Sequence, residues 1–168
     1  MVSFALMSTS KTSILFLCTG NSARSIMAEA IVGHEFGDRL RASSAGSRPA
    51  DEVNPLALET LRKYGIDTEG LQPKSWDKFR DRAFDLVITL CDASRQESCP
   101  GLPGGAPHAH WSLPDPPAAD HPQDMFEAVY DALVEGLGLL AYGPNPSVAD
   151  LAAEAGRVLN RRFAPRAI

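Results

Sequence analysis

Residues 13–18, Ser-Ile-Leu-Phe-Leu-Cys, run directly into Thr19-Gly20-Asn21-Ser22-Ala23-Arg24-Ser25 and then into Ile26-Met27-Ala28-Glu29-Ala30-Ile31. The first six residues are a short, continuous apolar run with turn-formers behind it. That pattern suits a strand buried on both faces of a parallel sheet. The next stretch is polar and contains glycine, so it reads as a loop. From Ser25 the apolar positions take helical spacing, with Ile26, Met27, Ala30 and Ile31 on one face and an end near Gly33–Gly37. A buried strand, a short loop and a helix are the opening half of a βαβ unit.

The rest of the chain repeats this alternation. Arg39–Ala45 reads as a second strand closed by Gly46. Asn54 is a suitable N-cap and Pro55 suits the first helical position. Leu58, Leu61 and Tyr64 form a stripe, and Gly65 stops the helix. Phe84–Leu90 is another buried strand, ended by Cys91. The 23 residues from Pro100 to Pro122 hold 7 of the 13 prolines, which confines regular structure there to a short strand over Ala106–His110. Met125–Tyr142 is helical. Gly143-Pro144-Asn145-Pro146 breaks it, and Ser147-x-x-Asp150 resembles a capping box opening a last helix with Val148, Leu151, Ala155, Val158 and Leu159 inward. Ligands of such sheets bind beyond the carboxyl ends of the strands. Cys18 and Cys91 both end strands and are expected at the same rim.

Composition narrows the function. The chain has 168 residues, 44% of them apolar and 22% charged, and a net charge of −5. That is one globular domain without the basic balance of a nucleic-acid binder. No apolar run approaches the roughly 20 residues that span a bilayer. The first ten residues lack a basic n-region and a cleavage site, so they read poorly as a signal peptide, and Met7 is an alternative start. A cytoplasmic location follows, in which Cys18, Cys91 and Cys99 stay mostly reduced. Three cysteines are too few for a disulfide scaffold, which leaves catalytic or redox thiols as the reading.

The C-x5-R-S spacing from Cys18 to Ser25 has a physical logic. Five residues let successive backbone N–H groups of Thr19, Gly20, Asn21, Ser22 and Ala23 curl around one tetrahedral oxyanion. The helix adds its positive N-terminal end. Arg24 brings a planar fork matched to two oxygens. At the bottom of this positive surround, Cys18 is held as thiolate, with Ser25 as a hydrogen-bond donor to it. Asn21 braces the loop and tolerates left-handed backbone. No G-K-[ST] follows, which excludes a Walker-type phosphate loop. Cys91, Cys99, His108 and His110 lie close in sequence, but C-x7-C-x8-H-x-H is not the spacing of a zinc finger. Neither a metal nor a cofactor is expected. His34 and His121 read as surface residues, and Trp76 and Trp111 as core or rim packing.

The segment from Ile14 to Ala30 resembles the signature of low-molecular-weight protein tyrosine phosphatases and of their relatives, the thiol-dependent arsenate reductases. Further matches follow in order: Ser44-Ala45-Gly46, Asn54-Pro55-Leu56-Ala57, Lys74-Ser75-Trp76-Asp77, Val87–Cys91, Cys99-Pro100, His110-Trp111 and Asp115-Pro116. The resemblance implies an α/β, flavodoxin-like, four-stranded parallel sheet with helices on both faces. It delimits a domain over residues 12–142, with an N-terminal extension over 1–11 and a C-terminal helical extension over 143–168. In the phosphatase branch, aromatic residues follow the acidic Asp-Pro; here Pro117-Ala118-Ala119 follow Asp115-Pro116. The reductase branch carries two further cysteines after the third strand, matched by Cys91 and Cys99. The resemblance therefore implies arsenate reduction, with Cys18 as nucleophile, Arg24 and the 19–25 loop as oxyanion site, and Cys91 and Cys99 as relay thiols. It makes Asp115 a general acid buried against the anion. Phosphate and sulfate would be substrate mimics, and thioredoxin or glutaredoxin the electron donor. The alternative it carries is a phosphatase acting through a Cys18 phosphoenzyme.

Overall fold

The computed structural model describes residues 11–90 and 105–163. Four strands, β1 (Thr12–Cys18), β2 (Leu40–Gly46), β3 (Leu86–Thr89) and β4 (His108–His110), form one sheet in the order β2-β1-β3-β4. Every neighbouring pair is parallel. The helices are α1 (Arg24–Glu35), α2 (Pro55–Lys63), α3 (Pro122–Tyr142) and α4 (Val148–Arg162). Thr12 pairs with Leu40 and Cys18 with Gly46, so β1 and β2 end level and the loop after β1 lies over the end of β2.

The sheet is two-sided, as the unbroken apolar run of β1 requires. Ile14 and Phe16 face the main cluster, which also holds Ile26, Met27 and Ile31 of α1, Leu61 of α2, Leu133 of α3 and Leu159 of α4. Leu15 and Leu17 face a smaller cluster with Val87, Phe79 and Phe84, partly roofed by Trp76. A short 3-10 helix, Trp76–Phe79, covers this second face. Trp111 is fully buried, and its indole N–H donates to the Ala152 carbonyl of α4 at 2.9 Å. His34 and His121 are exposed.

Local chemistry sets most helix ends. Asn54 Oδ1 accepts from Leu56 N at 2.9 Å, and Gly65 takes φ +76° beyond the last turn of α2. The stripe of α2 is shifted from the expected one. Ala57, Thr60 and Leu61 are buried, whereas Tyr64 lies outside the core and stacks on Tyr130 of α3 at 4.0 Å. Ser147 Oγ accepts from Asp150 N, but Ser147 N donates to Asn145 Oδ1, so Asn145 fills the reciprocal half of the expected capping box. α3 begins three residues earlier than its apolar stripe, because Pro122 is preorganised for a first helical position. Asn54→Ala is expected to lower the unfolding free energy by about 1 kcal/mol, measured by urea titration. It leaves the loop after β1 in place, because the Asn54 contact to Ser22 is made by backbone.

Candidate active site

The loop after β1 is built inside out. The carbonyls of Thr19, Gly20 and Ser22 accept from Arg48 N, Ala50 N and Asn54 N at 2.9, 2.9 and 2.8 Å. All three are thereby turned toward the 48–54 segment. In a planar trans peptide the N–H of the next residue points the opposite way. Gly20, Asn21 and Ala23 therefore direct their N–H groups to the inner side. Asn21 verifies the geometry, since its N–H donates to Cys18 Sγ at 3.3 Å.

Asn21 is the pivot. It is fully buried and holds φ +48°, the left-handed conformation that asparagine tolerates. Its Oδ1 accepts from Lys74 N at 2.9 Å, and its Nδ2 donates to Ser25 Oγ at 2.8 Å. Ser25 Oγ lies 2.8 Å from Cys18 Sγ. Gly46 lets these pieces meet: a Cβ there would stand 2.4 Å from the Thr19 carbonyl oxygen and 3.0 Å from Asn21 N.

Cys18 is 4% exposed and sits on the floor of a concavity of about 230 Å³, lined by residues 18–24 with Asp115 and Pro117. That is room for a tetrahedral oxyanion. Ala23, at the N-cap position of α1, makes no side-chain cap, which leaves the helix amides to an anion. Arg24, 12% exposed, donates from one terminal nitrogen to the Leu113 carbonyl at 3.0 Å and pairs from the other with Asp115 at 3.4 Å. The structure thus brings together Cys18, the 19–25 loop, Arg24 and Asp115. It departs from the expected burial of Asp115, whose side chain is 54% exposed. The short 3-10 turn Pro116–Ala118 begins with Asp115 at its N-cap and holds it at the rim of the concavity.

The chain matches the family model for low molecular weight phosphotyrosine protein phosphatase over residues 13–154. The chain belongs to this family. Within it, the chain is 38% identical over 123 residues to arsenate reductase 2 of Staphylococcus haemolyticus, covering 73% of this chain and 91% of that one. Among solved structures it superposes on a thioredoxin-dependent arsenate reductase of Corynebacterium glutamicum with a TM-score of 0.59 and 31% identity, spanning 78% of this chain and 62% of that one. The tyrosine phosphatase Wzb of Escherichia coli shares the fold, with a TM-score of 0.56 at 18% identity, spanning 92% of this chain and 100% of that one.

For a family member, the pocket lining has a telling composition. Among the described residues it contains no aromatic side chain. Cys91 and Cys99 lie outside the described residues, which reach Leu90, whose N–H donates to the Leu17 carbonyl. Among the described residues no group of three or more His, Cys, Asp or Glu is placed to hold a metal, and no helix is long and apolar enough to cross a membrane. Two partners of the loop, Gly46 and Lys74, carry no local sequence signal of that role. Both stand in the family-like segments Ser44-Ala45-Gly46 and Lys74–Asp77, and their function is visible only once residues 18–25 are folded against them.

Proposed function

We propose that this chain reduces arsenate to arsenite, with Cys18 as nucleophile and Cys91 and Cys99 as a disulfide relay. The observation that carries the reading is the Cys18 sulfur on the floor of an inward-facing amide loop, with Arg24 at its wall. The Nε of Arg24 is buried and has no hydrogen-bond partner among the described residues. A bound oxyanion would supply that acceptor.

Arsenate has the charge and shape the loop suits. The Cys18 thiolate attacks arsenic, and an arsenate hydroxyl leaves as water after taking a proton that Asp115, at the solvent-exposed rim, relays from solvent. The Cys91 thiolate then attacks Cys18 Sγ. The sulfur–arsenic bond breaks with its electron pair going to arsenic, which departs as arsenite, and a Cys18–Cys91 disulfide forms. The Cys99 thiolate attacks Cys91 and releases Cys18 as thiolate. The remaining Cys91–Cys99 disulfide is reduced by a dithiol protein, thioredoxin in the first instance and glutaredoxin as the other candidate. A reducing, cytoplasmic compartment supplies that donor. The C-x5-R loop also supports slow hydrolysis of small phosphomonoesters. A phosphotyrosine specificity is disfavoured by the lack of an aromatic wall around the described pocket.

The test is arsenite formation from arsenate with thioredoxin, thioredoxin reductase and NADPH. Steady turnover is expected for the parent chain, and none for Cys91→Ser. Cys99→Ser is expected to release one arsenite per chain and then stall. Unimpaired turnover by both variants, together with fast cleavage of phenyl phosphate, would establish the phosphatase reading instead.

A further inference from the structure

One ion pair beside the loop is largely buried and takes no part in the chemistry above. Lys74 Nζ lies 3.5 Å from Glu29 Oε2, with the two side chains only 13% and 21% exposed. The ammonium also donates to the Gln72 carbonyl at 3.1 Å. Glu29, on α1, accepts from Ser44 N of β2 through its other oxygen at 3.2 Å. The Lys74 backbone is equally tied: its carbonyl accepts from Gly46 N at 2.8 Å and its N–H donates to Asn21 Oδ1. The pair therefore clamps α1, β2 and the 72–75 segment at the back of the loop.

A hydrogen-bond argument connects that clamp to the sulfur. Because Asn21 Oδ1 is committed to the Lys74 N–H, the Asn21 amide has one orientation, and its Nδ2 must face Ser25 Oγ as a donor. Ser25 Oγ then accepts from Asn21. Its single proton is left for Cys18, which as thiolate has none of its own to give. Asn21 N–H supplies a second donor to the same sulfur. We propose that Lys74 is a positioning residue for the nucleophile: its ion pair with Glu29 fixes the Asn21 amide, and Asn21 in turn makes Ser25 a donor to the Cys18 sulfur.

The proposal rests on Cys18 acting as a thiolate but not on arsenate, so its test uses no oxyanion. Among the described residues, Arg24 and Asp115 are the charged groups lining the pocket, and Lys74 and Glu29 form the ion pair behind the loop. In the full-length protein, the rate of Cys18 alkylation by iodoacetamide is followed against pH by mass spectrometry of the Cys18 peptide. Lys74→Met and Glu29→Gln are both expected to raise the alkylation midpoint, leaving about threefold to tenfold less reactive thiolate at pH 6. Lys74→Arg is expected to stay near the parent. The shared direction is decisive. If Lys74 acted only through its charge, removing the Glu29 carboxylate would lower the midpoint rather than raise it. Opposite shifts for the two variants would overturn the proposal. So would unchanged midpoints accompanied only by lower thermal stability. Should Lys74→Met fail to fold, the near-isosteric Glu29→Gln carries the same decision.

Discussion

Cys18→Ser is expected to abolish arsenate reduction, by about 10⁴-fold or more, while the protein still binds phosphate. The change removes one sulfur and keeps every donor around it. Asn21 N–H and the Ser25 hydroxyl still face position 18, and the outward carbonyls of Thr19, Gly20 and Ser22 still present the loop amides inward. A serine hydroxyl does not ionise in this setting, so neither the arsenic adduct nor the first disulfide forms. An anionic ligand no longer meets a thiolate, which removes a like-charge repulsion. Calorimetric titration with phosphate should therefore show affinity equal to or tighter than the parent's. Loss of phosphate binding in a folded Cys18→Ser protein would mean that the loop is not the oxyanion site. Retained turnover would mean that Cys18 is not the nucleophile.

Gly46→Ala is expected to damage stability and site together. The new methyl would meet the Thr19 carbonyl oxygen at 2.4 Å and the Asn21 N and Cβ at 3.0 and 3.1 Å. These are backbone and buried atoms, which cannot rotate away. The loop must lift from the end of β2, at a cost of about 2–3 kcal/mol. Lifting strains the contacts that hold Asn21 against Lys74 and Ser25. Urea unfolding should show the stability loss, and phosphate affinity should fall at least about tenfold. Gly33→Ala is the matched control. Gly33 lies on an exposed face of α1, where a Cβ meets nothing within 4 Å, so stability should rise by about 0.5–1 kcal/mol with binding unchanged. Equal behaviour of the two variants would show that the close approach at Gly46 does not support the loop.

Much of the architecture is written in short-range patterns. The apolar run Ile14–Cys18 specifies a strand buried on both faces, and the C-x5-R spacing places a thiol, a concave loop and a guanidinium within one strand-to-helix turn. Asn54 and Gly65 bound α2 by interactions reaching only two to four residues along the chain. The partners that complete the site are distant. Asn21 meets Lys74 across 53 positions and Arg24 meets the Leu113 carbonyl across 89. Tyr64 leaves the core face for a stack on Tyr130 because α3 happens to pass there. The helix over 148–162 is amphipathic in sequence, yet only its seat over Trp111 says which surface it covers. Asp115 stands at an exposed rim because a proline-rich turn, not its own side-chain chemistry, sets its depth. The amino-acid pattern alone determined the alternation of strands and helices, the thiol loop and its charge logic, since these depend on neighbours a few residues apart. The fixed Asn21 amide, the Gly46 contact and the Lys74–Glu29 clamp were decided by packing, because each requires segments that only a closed core brings within hydrogen-bond or contact distance.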